Sequence, residues 1–139
     1  VLIQGWITAK NFMLPLRTHI RSVEDFPSLE RAAYLSFGDQ FAEFMAFVRD
    51  IVPPDHAVVV PPMQADEVFG NSALMNYFLY PRSIRQCNGG ERFEACMQRY
   101  SRDTAYMLFS PAYKPAEPEE IDALWLPFDG GKGVYVLQQ

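Results

Sequence analysis

A chain of 139 residues, 49% hydrophobic and 21% charged, reads as one globular domain able to build a core without a cofactor or a covalent staple. That balance excludes a disordered segment. The formal net charge of −5, with no Lys/Arg cluster to reverse it locally, argues against nucleic acid as a partner.

The chain begins at Val1 and not at Met, so it reads as a fragment or a processed product. No apolar run approaches the roughly 20 residues that span a bilayer, and no basic-plus-apolar leader is present. Residues 1–22 form an arm, irregular over Asn11 to Ser22. Its start, Val1-Leu2-Ile3-Gln4-Gly5-Trp6-Ile7, suits the tail of a membrane helix with an interfacial Trp, or equally an edge strand or packing arm.

Glu24, Asp25, Pro27 and Ser28 mark a helix start, with acidic groups near the positive end of the macrodipole. Tyr34, Phe37, Phe41, Phe44, Val48 and Ile51 then recur at spacings of three and four, an apolar stripe suited to core packing. Gly38-Asp39 breaks that helix, and Pro53-Pro54 ends it.

Ala57 to Val60 is an unalternating β-branched run, as expected of a strand covered on both faces. Pro61 and Pro62 stop it. A helix follows from Gly70-Asn71-Ser72, where Asn71 or Ser72 can accept from an orphan N–H, and Pro81 ends it. Leu74, Met75, Phe78 and Leu79 supply its buried side. Ser83 to Cys87 is a second strand, and this strand–helix–strand unit favours parallel pairing. A third helix spans Glu91 to Ser101, with Phe93, Cys96, Met97 and Tyr100 on one face. Thr104 to Phe109 is a third strand, and Tyr113 to Glu120 a loop or single helical turn. Ala123 to Phe128 and Gly133 to Gln138 flank Asp129-Gly130-Gly131-Lys132 as a β-hairpin. The expected fold is an α/β, three-layer Rossmann-like sandwich with helices on both faces. Its sheet has about five strands, mostly parallel, with an antiparallel carboxy-terminal hairpin.

Cys87 and Cys96 bracket Asn88-Gly89-Gly90. In an oxidising compartment they form a disulfide worth about 2–3 kcal/mol; in the cytosol they stay two buried thiols. Their spacing fits neither a C-x-x-C redox motif nor a zinc site, so no metal is expected.

A dinucleotide site needs a glycine-rich turn after the first strand. Here that position holds Pro61-Pro62-Met63-Gln64-Ala65-Asp66-Glu67, where prolines remove donors and carboxylates repel phosphate, so no cofactor is expected. Asp129-Gly130-Gly131-Lys132-Gly133 leads into a strand, which makes it a hairpin turn and not a phosphate loop. Any site should lie beyond the carboxyl ends of the strands, among Gln64, Asp66 and Glu67 after the first and Ser110, Tyr113 and Lys114 after the third. Asp66 and Glu67 offer an acid/base or cation-holding pair, or two solvated carboxylates. Arg82 offers an anion contact or a plain salt bridge. His19 and His56 are too isolated for a triad, and no catalytic residue is assigned.

Asn76-Tyr77-Phe78-Leu79-Tyr80-Pro81-Arg82, with the lead-in Phe44-x-x-Phe47-Val48-Arg49 and Pro53-Pro54-Asp55-x-Ala57, carries a Tyr-x-Leu-x-Pro-Arg signature. It resembles small Rossmann-like soluble domains that lie outside the membrane in bacterial multi-pass proteins, some similar to glycosyltransferase or O-antigen enzymes. The sharp match covers about a dozen positions, and the family pattern carries no established activity. The resemblance implies an extracytoplasmic, membrane-tethered setting and the Cys87–Cys96 disulfide. It also implies partners in the rest of a membrane-embedded polypeptide or a membrane protein. The expected function is therefore a non-catalytic recognition, scaffolding or accessory domain, with cell-envelope glycan assembly as its context. The alternative is a small Rossmann-like enzyme or ligand-binding module using the loop after the first strand.

Overall fold

The computed structural model describes residues 28–101, 105–116, 121–129 and 131–137. The amino-terminal arm, the helix start at Glu24 to Pro27 and Thr104 lie outside these. Two compact units divide the chain, one ending at Glu43 and the other running from Phe44.

Helix α1 (Ser28–Phe37) and helix α2 (Asp39–Ile51) are separated by Gly38, whose φ of +89° is the left-handed conformation that glycine alone adopts freely. The expected break is therefore real. Ala42 N–H then donates to the Gly38 carbonyl as α2 begins. Of the stripe read from spacing, Phe41, Phe44 and Val48 are buried, whereas Phe37 is 41% exposed. Met45, which the stripe omitted, is fully buried.

In the second unit, β1 (Ala57–Val60), α3 (Ser72–Leu79), β2 (Ser83–Gln86), α4 (Phe93–Tyr100) and β3 (Ala105–Phe109) follow in turn. The hairpin β4 (Leu124–Pro127) and β5 (Gly133–Leu137) closes the series. The five strands make one sheet in the order β2-β1-β3-β5-β4. β1 pairs parallel with both β2 and β3, while β5 pairs antiparallel with both β3 and β4. The sheet is thus mixed, with parallel and antiparallel pairings equal in number, and not mostly parallel. The reason is that the hairpin folds its second strand inward against β3 and leaves its first strand, with Pro127, on the edge where a missing donor costs nothing.

Burial explains the strand compositions. Val58, Val59 and Val60 are inaccessible although their side chains alternate between faces, so β1 is covered on both. On the edge, β2 exposes Ser83 and Arg85 and half-buries Ile84 and Gln86. Val59, Met107 and Tyr135 line up across one face, where Phe93 of α4 packs against them. Its ring centroid lies 5.7 Å from Tyr135 and 5.5 Å from Tyr113. Truncating such a ring to alanine costs about 3–5 kcal/mol.

Helix α3 begins as its residues require. Asn71 is extended and its side-chain oxygen accepts from Leu74 N–H, a cap worth about 1 kcal/mol. It ends at Tyr80, whose ψ of 138° is the extended state forced by the following proline; the Tyr80–Pro81 bond is cis. Met75, Phe78 and Leu79 are buried, while Tyr77 and Tyr80 are exposed. Cys87 and Cys96 form a disulfide between the end of β2 and α4. Among the described residues, no helix is long and apolar enough to cross a membrane.

Candidate functional site

The loops after β1 and β3 leave the sheet in opposite directions, toward β2 and toward the hairpin, which is the arrangement that opens a crevice in α/β sheets. Here the protein fills that crevice itself. Pro61 and Pro62 end β1, and Ala65 and Asp66 N–H turn back to the Pro62 carbonyl. One Asp66 carboxylate oxygen accepts from Val68 and Phe69 N–H at 3.1 and 2.9 Å. The other accepts from the Ser110 hydroxyl at 2.8 Å, 44 residues away and 2% exposed. Two residues named from sequence therefore meet, but as a clip joining two loops. Glu67 is exposed and has no hydrogen bond, to Asp66 or to any other group, among the described residues.

The remaining named residues are dispersed. Tyr113 is buried and its hydroxyl donates to the Glu91 carbonyl at 3.0 Å. Burial, reinforced by the charges of Glu91 and Glu94, pushes its pKa up to about 12. Lys114 is exposed, beside a shallow hollow near Arg92 and Glu94. Arg82 is buried, and its guanidinium donates to the Val52 and Arg49 carbonyls at 2.7 and 2.5 Å. It thereby satisfies main-chain acceptors that the end of α2 leaves open, in place of the anion or salt bridge read from sequence. Burial and the nearby Arg49 lower its pKa below the ordinary arginine value. His56 pairs with exposed Asp55 at 3.0 Å, just ahead of the amino end of β1 and far from the carboxyl-end loops along the strand.

Open space is present beyond the carboxyl ends of β1 and β2. A cavity of about 490 Å³ is lined there by four carboxamides, Gln64, Asn71, Gln86 and Asn88, together with Ser72. Met63, Ala73 and Cys87 supply its apolar wall, and no charged side chain lines it among the described residues. Two of the amides are half committed. Asn71 uses its oxygen as the cap of α3, and Gln86 donates its NH2 to the Gly70 carbonyl, so each keeps its other end. The side chains of Gln64 and Asn88 make no hydrogen bond among the described residues. Gly70 is obligatory here, because an added Cβ would come within 2.4 Å of the Asp66 carbonyl and 2.6 Å of Met63 Cα.

The rim of the cavity is held by Glu91. Its carboxylate accepts from Asn88 N–H at 2.8 Å and pairs with Arg99 at 2.5 Å. Burial raises the Glu91 pKa, but the Arg99 hydrogen bond, the Asn88 amide and the Arg99 charge together hold it below the ordinary 4.5. Cys87, Glu91 and Cys96 place three potential metal-ligand atoms within 4.8 Å of one another. The two sulfurs are bonded to each other and Glu91 is paired with Arg99, so no donor set for a metal remains in this oxidised state.

No protein-family model, curated protein or solved structure matches this chain. Of the residues around the cavity, sequence reading named Gln64 as a ligand contact and treated Asn71 and Asn88 only as cap and turn. For Asn88 the signal is its position directly after β2, the same rule that drew attention to the loop after β3; Asn71 stands well past β1, at the start of α3, and only folding brings it to the cavity.

Proposed function

We propose that this chain is a non-catalytic recognition domain, extracytoplasmic and tied to a bacterial membrane protein, with the cavity beyond β1 and β2 as its binding surface. The observation that carries the non-catalytic part is the commitment of Asp66 to three hydrogen bonds within the protein. A carboxylate so engaged is a poor proton shuttle, and the open cavity nearby offers amides and the Ser72 hydroxyl, with no acid or base in its lining among the described residues to activate that hydroxyl. The Cys87–Cys96 disulfide supports an oxidising compartment, since such bonds are rare in the cytosol. A three-layer arrangement, with helices over both faces of the sheet, is the finer form of the fold we favour, because Val58 and Val59 point to opposite faces and both are buried.

Thiol labelling of the protein isolated from its native host under denaturing, non-reducing conditions tests the compartment. Two unlabelled cysteines are expected; two free thiols would remove the extracytoplasmic assignment. The rival reading, an enzyme using Asp66 and Glu67, expects Asp66→Ala to abolish turnover without lowering Tm.

A further inference from the structure

We infer that the cavity beyond β1 and β2 binds a neutral, hydroxyl-rich ligand, a sugar unit or comparable polyol. This deepens the recognition reading above and rests on it. The volume of about 490 Å³ falls in the range of roughly 300–1,000 Å³ typical of small-molecule sites.

The lining discriminates among ligand classes. A phosphate or carboxylate would find no Lys or Arg in the wall and would approach a chain of net charge −5. An ammonium would find neither a carboxylate nor an aromatic face. A wholly apolar ligand would strand the amide groups of Gln64 and Asn88 away from water without partners. A hydroxyl both donates and accepts, and a carboxamide presents an N–H and a C=O side by side, so adjacent hydroxyls match these amides in pairs. Gln64 and Asn88 offer both ends, Asn71 keeps its donor and Gln86 keeps its acceptor. Met63, 51% exposed, and the Cys87 side of the disulfide give the C–H face of such a ligand an apolar surface.

Gly89 provides the probe. A Cβ added there would meet the Gln64 amide at 3.3 Å, and the glycine does not need a left-handed φ. A larger side chain at this exposed position should enter the cavity without touching the core. The test is saturation-transfer NMR and thermal shift on the oxidised chain, with neutral mono- and disaccharides, sugar phosphates, nucleoside diphosphates and alkylammonium ions as probes.

Neutral sugars are expected to bind, and Gln64→Ala to weaken them about tenfold, as loss of a paired hydrogen bond implies. Gly89→Leu should abolish the signal while leaving Tm within a few degrees. Binding of the phosphorylated probes but not the neutral ones, blocked by Gly89→Leu, overturns the ligand class and leaves recognition standing. Absence of binding by every probe overturns both. Turnover of a bound neutral sugar overturns the non-catalytic reading and keeps the ligand class.

Discussion

Two gaps at the same edge of one sheet have opposite fates. Between the loops after β1 and β3, a carboxylate and a hydroxyl face each other and close the gap, with Asp66 clipped to Ser110. Between the ends of β1 and β2, amides surround a cavity and leave several donors and acceptors unused. Position beyond the strand ends makes both places eligible as sites. What separates them is whether their polar groups are already satisfied by the protein's own backbone.

The largest expected effect falls on the open end. Replacing Cys87 and Cys96 together by serine should cost about 2–3 kcal/mol in urea unfolding, because the disulfide closes a short loop. Amide exchange at Asn88 and Glu91 should rise at the same time. A variant as stable as the parent would mean that the rim stands without its covalent anchor.

Asp66→Ala should come next, lowering stability by about 2 kcal/mol through three lost hydrogen bonds while leaving ligand signals at the cavity unchanged. Loss of binding with an unchanged Tm would reverse the contrast between the two ends.

Tyr113 links them, since it follows β3 and its hydroxyl holds the Glu91 carbonyl. Tyr113→Phe should cost about 1 kcal/mol at neutral pH. The phenol pKa is raised on folding from 10.0 to about 12, so its contribution is complete below pH 10 and is lost as pH rises toward 12. The variant should therefore lose less stability than the parent over that window in alkaline melts.

The smallest effect belongs to Glu91. Its pKa is depressed on folding, so its contribution is present above the ordinary 4.5 and is lost as pH falls below that value. Glu91→Gln should flatten the acid limb of a Tm-against-pH curve and cost under about 1 kcal/mol at pH 7, because Arg99 is partly exposed and solvent screens the pair. An acid limb identical to the parent's would show that the rim does not depend on this carboxylate.

Much of the backbone plan was legible because its causes are local. Asn71 caps α3, Gly38 divides two helices, the valines of β1 mark a strand buried on both faces, and β4 and β5 pair as a hairpin. Each follows from a residue's own dihedral preferences or from its neighbours within one turn. Arg82 was not legible, because its acceptors lie on the end of α2, 30 and 33 residues earlier in the chain. Nor was the inner place of β5, since alternation and turn chemistry define a hairpin without saying which of its strands meets β3.

The sequence by itself determined the α/β class and the order of the elements, and so which loops gather beyond the carboxyl ends of the parallel strands, through periodicity and turn chemistry. Tertiary structure alone decided which polar groups at that edge stay available. Whether Asp66, Gln86 or Asn88 is free depends on partners brought close by folding. A hydrogen bond between residues dozens of positions apart leaves no local pattern in the chain that makes it.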